Sequence, residues 1–250
     1  MTTYDAAFFE YVNSGAVRSA EHLLPHLTGA LSLSRVLDVG CGHGAWLSVW
    51  QKLGIDDITG IDGDYVNRDR LLIERDDFLA RDLAEGFELG RRFDLVQSLE
   101  VAEHLPASCA ARFVESIVRH GPLVLFSAAP KGQGGDHHVN EQDYDYWRAL
   151  FEKHGYVALD CIRPLVAGIS AIEPWYRYNV ILYSHLDALA GLPDAFRRCQ
   201  VPRGVRIPDV SPALYRARKL VVGMMPVPLM TRLAKAKERL VGRARGVASI

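Results

Sequence analysis

Short apolar, β-branched runs alternate with segments of helical spacing from residue 35 onward, and few architectures accommodate that alternation. Arg35-Val36-Leu37-Asp38-Val39 is predicted as a buried strand. It opens into the turn Gly40-Cys41-Gly42-His43-Gly44, followed by a helix over residues 45–53 that Gly54 stops. Residues 57–62, 78–80, 93–99 and 122–127 carry the same strand signature, with a helix over 106–120. Strands separated by helices imply an α/β, Rossmann-like doubly wound sheet with helices on both faces. A polar, Gly-rich loop over 131–136 and a helix over 141–154 come next. The strands predicted over 157–162 and 179–183 lack a helical crossover and are expected to pair antiparallel.

The apolar spacing of Phe8, Val12, Val17, Leu23, Leu24 and Leu27 predicts one or two helices in residues 1–30, a cap preceding the core domain of 31–186. Residues 187–250 form a connector with Pro193, Pro202 and Pro208, then a tail of helical spacing interrupted at Pro226 and Pro228. With 49% hydrophobic residues the chain can fill a core, and its formal net charge of −1 gives no reason to expect a nucleic-acid partner. The charge is segregated, however: from residue 211 onward nine Lys and Arg face one acid, Glu238. Such a basic amphipathic tail suits an anionic membrane, a second protomer, or packing back on the domain.

The spacing Gly40-x-Gly42-x-Gly44 presents backbone to a nucleotide-like ligand at the mouth of a helix. The dinucleotide fingerprint places its third glycine one position later, and Ala45 leaves a relaxed version of that reading open. Asp38 weighs against it, because an acid before the turn repels a pyrophosphate and suits a cationic amino group. Asp62 ends the second strand, where a carboxylate accepts hydrogen bonds from ribose hydroxyls. Asp82, with the Leu83 backbone beside it, is placed for an adenine amino group.

Val36 to Gly44, Gly60-Ile61-Asp62, Asp82-Leu83 and Phe93 to Leu105 resemble, in order, four motifs of the class I methyltransferases that use S-adenosylmethionine (SAM). The resemblance covers roughly residues 30–185. It implies a seven-stranded sheet with the last strand antiparallel, SAM as cofactor and S-adenosylhomocysteine (SAH) as product. It also implies SAM contacts at Asp38, Gly40, Cys41, Gly42 and Asp62, with Asp82, Leu83 and Ser98 beyond them. The segment over residues 128–142, with Tyr146-Trp147 and Glu173-Pro174-Trp175-Tyr176-Arg177, is similar to a bacterial subgroup linked to glycan, lipid-linked sugar or natural-product assembly.

Methyl transfer from a sulfonium requires an aligned nucleophile, and an alcohol must also lose its proton as it attacks. Histidine, with an ordinary pKa of about 6.5, is the side chain suited to take it. His104 follows the fourth strand and His137 and His138 follow the fifth, on the side where open α/β sheets hold ligands. His138, His137 and His104 are therefore the candidate bases. No metal is expected: Asp136, His137, His138 and Glu141 place two imidazoles side by side, and adjacent histidines rarely reach one ion. Tyr146, Trp147, Trp175, Tyr176 and Arg177 suit stacking and hydrogen bonding to a sugar or ring, and serve a core equally well.

The expected activity is O-methylation of a sugar, glycan or small natural product. An N-methyltransferase or a non-catalytic SAM-binding scaffold would carry the same motifs. Scattered Cys41, Cys109, Cys161 and Cys199, and an N-terminus without a signal-peptide layout, predict a cytoplasmic protein, with the tail offering contact to the inner membrane face.

Overall fold

A computed structural model describes residues 6–225. Seven strands form one sheet: β1 Arg35–Val39, β2 Asp57–Asp62, β3 Phe78–Ala80, β4 Leu95–Leu99, β5 Leu123–Ser127, β6 Tyr156–Leu159 and β7 Ile181–His185. Their order is β3-β2-β1-β4-β5-β7-β6. The first five run parallel, and β7 lies antiparallel between β5 and β6. The parallel strands are apolar on both faces because helices cover both.

Ten helices surround the sheet among the described residues: α1 Ala6–Leu23, α2 Pro25–Thr28, α3 Ala45–Lys52, α4 Ala110–Arg119, α5 Tyr144–Glu152, α6 Ile162–Val166, α7 Pro174–Asn179, α8 Leu186–Leu189, α9 Asp194–Arg197 and α10 Ala213–Gly223. One core cluster joins α1, α3, α6 and α7 through Leu23, Leu47, Trp50, Ile162 and Tyr176. The other packs Phe113 and Ile117 of α4 and Trp147 and Phe151 of α5 against Val96, Val124 and Phe126. A buried polar side chain of β4 finds its partner inside the first cluster: Gln97 Oε1 accepts from Trp50 Nε1 at 2.8 Å.

Two predicted elements are shorter than their sequence pattern. The strand over 157–162 ends at Leu159, because the Asp160 carboxylate takes two hydrogen bonds from Arg163 (2.7 and 2.6 Å) and turns the chain into α6. Pro164 fits there, in the first turn of that helix. The helix predicted from residue 141 begins at Tyr144, because the Glu141 side chain accepts from Gly132 N and Gly134 N and stays in the loop.

The connector protects the sheet edge: Val201 N donates to Ala158 O and Asp160 N to Cys199 O, both at 2.9 Å. The start of the tail packs back on the domain. In α10, Lys219 pairs with Asp209 at 2.5 Å and Arg218 donates to the Gln133 carbonyl at 2.9 Å. The remaining tail cations, from Arg232 onward, lie outside the described residues. Among the described residues no helix is long and apolar enough to cross a membrane.

Candidate functional site

The strand order reverses at β1, whose neighbours are β2 and β4, so the loops after β1 and β4 part and leave a crevice. The glycine turn forms one wall. Gly40, Gly42 and Gly44 all have positive φ (83°, 54° and 79°). Gly40 N donates to Ile61 O at 2.8 Å, and a Cβ there would lie 2.3 Å from a Val101 methyl. At Gly42 a Cβ would meet nothing within 4 Å, so that backbone faces open space. Gly40→Ala is therefore expected to lower stability by about 2–4 kcal/mol through strain and clash. Gly42→Ala is expected to cost only about 1–2 kcal/mol. Thermal denaturation of the two variants side by side checks the contrast.

Asp62 splints this turn. Its Oδ2 accepts from Gly42 N and its Oδ1 from Gly63 N, each at 2.7 Å, and Tyr65 Oη donates to Oδ1 at 2.5 Å. Asp38 is 3% exposed, and burial pushes its carboxyl up to about 7; Gln97 opposes that shift and the nearby Asp62 charge adds to it. A carboxyl poised between its two states beside an open glycine turn is placed to gain from an arriving cation. Cys41 points its sulfur at β2, where it fills the space beside Gly60, leaving only its backbone for the crevice. Leu83 is buried, and Asp82 sits exposed beyond β3 with Oδ1 accepting from Ala84 N. Ser98 is fully buried and its hydroxyl has no hydrogen-bond partner.

The opposite wall comes from the loops after β4 and β5. Glu100 leaves β4 with φ 57°, its N–H donating to Ser127 O. Its carboxylate accepts from Gln133 Nε2 at 2.6 Å and from Asn179 Nδ2 at 3.3 Å, and Tyr144 Oη donates to Asn179 Oδ1 at 2.9 Å. The Gly-rich loop is clipped to the turn after β4 by Val139 N and Asn140 N, both donating to Glu103 O (2.9 and 3.0 Å). That clip brings the His138 ring edge-on to His104, with centroids 4.9 Å apart. His138 Nδ1 bonds Glu141 Oε1 at 2.8 Å, and its ring lies over Gly135, where any side chain would collide with it. His104 retains solvent exposure, yet desolvation, with His138 adding to it, lowers its pKa to about 4. His137, with φ 55°, is exposed, its Nε2 lying 3.6 Å from Asp136.

The five aromatic and basic candidates separate. Trp147 is 2% exposed and packs on Phe126, so its faces belong to the core. Tyr146 lies edge-on to Trp147 and is partly open. Tyr176 is buried against Trp46, with Trp175 partly open beside it. Arg177 donates to Ile169 O and lies over Tyr178. Sequence reasoning assigned no role to Glu100, Glu103, Gln133 or Asn179. The usable signal was the pair of acids three apart before His104, at the mouth of a buried strand.

A family described as a methyltransferase domain matches residues 10–162. No curated protein matches the chain by sequence. Among solved structures, the fold is similar to the sugar N-methyltransferase KedS8 from Streptoalloteichus sp ATCC 53650: 15% identity over 74% of this chain and 96% of that one, TM-score 0.53. Streptomyces venezuelae DesVI matches at 16% identity over 74% and 100% of the two chains, TM-score 0.52. The methyltransferase domain of bacterial CtHen1-C matches at 19% identity over 70% and 98%, TM-score 0.50.

Proposed function

We propose, since the chain belongs to the methyltransferase-domain family, that it is a SAM-dependent O-methyltransferase acting on a hydroxyl of a sugar or other small molecule. The residues fit SAM. Gly42 leaves room for a ligand against the backbone, Asp38 offers a carboxylate to an ammonium group, and Asp62 lies where ribose hydroxyls would be held. When bound, SAM supplies an electrophilic methyl group on a positively charged sulfur.

The observation that supports the hydroxyl assignment is the His104–His138 pair, its rings edge-on at 4.9 Å on the loops after β4 and β5. An alcohol must give up a proton there, and a His138 ring fixed by Glu141 beside His104 is the place for it. Glu100, Gln133 and Asn179 hold the surrounding wall in one arrangement. Tyr146, Trp175 and Arg177 are the residues through which we place acceptor recognition. Among them only partly open rings leave a face for a sugar.

Calorimetric titration with SAH beside NADH tests the cofactor reading. SAH is expected to bind with micromolar affinity and NADH not at all; NADH binding in place of SAH would overturn it. The pH dependence is specific. Asp38 must be ionised to meet the ammonium, and it is half protonated near pH 7 in the free chain. SAH affinity is therefore expected to fall by up to about tenfold per pH unit below about 7, with proton release on binding. The same raised pKa makes the free chain lose stability as the pH rises from the ordinary Asp range through about 7. Activity that survives removal of each histidine singly would instead indicate a nitrogen acceptor.

A further inference from the structure

Glu103 is 0% exposed, and neither of its carboxylate oxygens has a hydrogen-bond partner. More loosely, the backbone of Glu103 and Ala129 and the Glu100 side chain approach it: burial and Glu100 favour its protonated form, and the backbone groups favour the ionised one. No Lys or Arg among the described residues forms an ion pair with either acid. A buried carboxyl left this way costs stability in either protonation state. What does face it is imidazole: one ligand atom each from Glu103, His104 and His138 all lie within 4.8 Å of one another.

We infer that Glu103, His104 and His138 bind a divalent transition-metal ion, and that the acceptor hydroxyl reaches this ion from the solvent-exposed side of His104. Two imidazoles and one carboxylate suit zinc, iron(II) or cobalt(II) rather than magnesium. Glu103 and His104 are consecutive, and His138 comes from a second loop that the Glu103 carbonyl clips to theirs through Val139 N and Asn140 N, so the fold brings in the third ligand. Bonds of about 2.0–2.1 Å require ligand atoms roughly 3.3 Å apart, so the three side chains need only close in by rotamer adjustment.

The surroundings support ligation. His138 Nδ1 is committed to Glu141, which leaves Nε2 for the ion; a carboxylate behind a metal-bound imidazole fixes its tautomer and raises its basicity. Glu141 is itself held by Gly132 N and Gly134 N at 2.8 and 2.7 Å. Three protein ligands leave at least one position open, and His104 is accessible to water, so an exchangeable ligand can enter.

The inference rests on the methyltransferase reading and specifies how the hydroxyl is activated. The acceptor oxygen takes the open position, its O–H bond breaks under the ion's charge, and the proton leaves to water. The C–O bond then forms as the S–CH3 bond breaks, and that electron pair stays on sulfur. No oxidant or reductant is involved.

The test is cobalt(II) titration of the full chain after dialysis against a chelator, read by visible absorption and calorimetry, with zinc as competitor. SAH titration of the same samples reports separately on the cofactor site. One cobalt per chain is expected, displaced by zinc and weakened by more than about tenfold in Glu103→Gln and in His104→Gln. His137→Ala is expected to leave the cobalt stoichiometry at one. Zinc should raise the melting temperature of the wild type and not of Glu103→Gln, whose side chain has nearly the same shape. A folded wild type that binds SAH but no cobalt or zinc would overturn the inference and leave the methyltransferase reading intact. So would cobalt binding indifferent to both substitutions. Cobalt binding without SAH binding would uphold the metal site and sink the reading it serves.

Discussion

His138→Ala is expected to lower turnover by about 100- to 10,000-fold while SAH affinity changes by less than about twofold. The separation follows from the two walls of the crevice. His138 belongs to the loop after β5, held by Glu141 and stacked on Gly135, on the wall opposite the glycine turn. Its removal deletes the group on which proton loss from the acceptor depends and leaves Asp38, Gly42 and Asp62 in place. Single-turnover measurement at saturating SAM distinguishes lost chemistry from slow product release. A fully active variant would move activation of the hydroxyl elsewhere and favour a nitrogen nucleophile that arrives already uncharged.

Asp62→Ala is expected to weaken SAH binding by about 100-fold or more. The carboxylate holds Gly42 N, Gly63 N and Tyr65 Oη at once. Hydrogen bonds to a charged group contribute about 1.5–3 kcal/mol each. The loss therefore has two sources: the contact to the ribose and the shape of the turn that receives the ligand. Asp62→Asn separates them. An amide still accepts from one N–H but repels the other, so an affinity between those of wild type and Asp62→Ala is expected. Unchanged SAH affinity in Asp62→Ala, measured by calorimetry on a protein with a normal melting curve, would remove Asp62 from the binding site.

The left half of the sheet was readable because its constraints are local. β1 ends where three glycines must adopt positive φ, and a run of Val, Leu and Ile on either side has no role except burial on two faces. The right half depends on partners far apart in sequence. α6 exists because Asp160 and Arg163 pair with each other and Arg163 also reaches the carbonyls of Tyr178 and Pro208. No periodicity announces that. Trp147 resembled a stacking platform because composition does not reveal which face of α5 meets Phe126. Glu100 and Glu103 were visible as letters, but not as a half-buried and a fully buried carboxyl side by side, since burial is a property of the closed fold. The histidines were legible as candidates because residues after β4 and β5 must open at the carboxyl edge; the clip that joins His104 to His138 was not.

Gly132 has φ 81°, and a Cβ on it would lie 2.1 Å from the Lys219 carbonyl, so α10 rests directly on the backbone of the loop that carries His138. Arg218 adds a hydrogen bond to Gln133, 85 positions away in sequence. The loop over residues 131–142 is thus half of a two-part component whose other half is residues 209–223. A graft intended to give this scaffold a new acceptor range has to carry both halves together, and a chain trimmed before α10 changes the very loop that the cut leaves untouched in sequence.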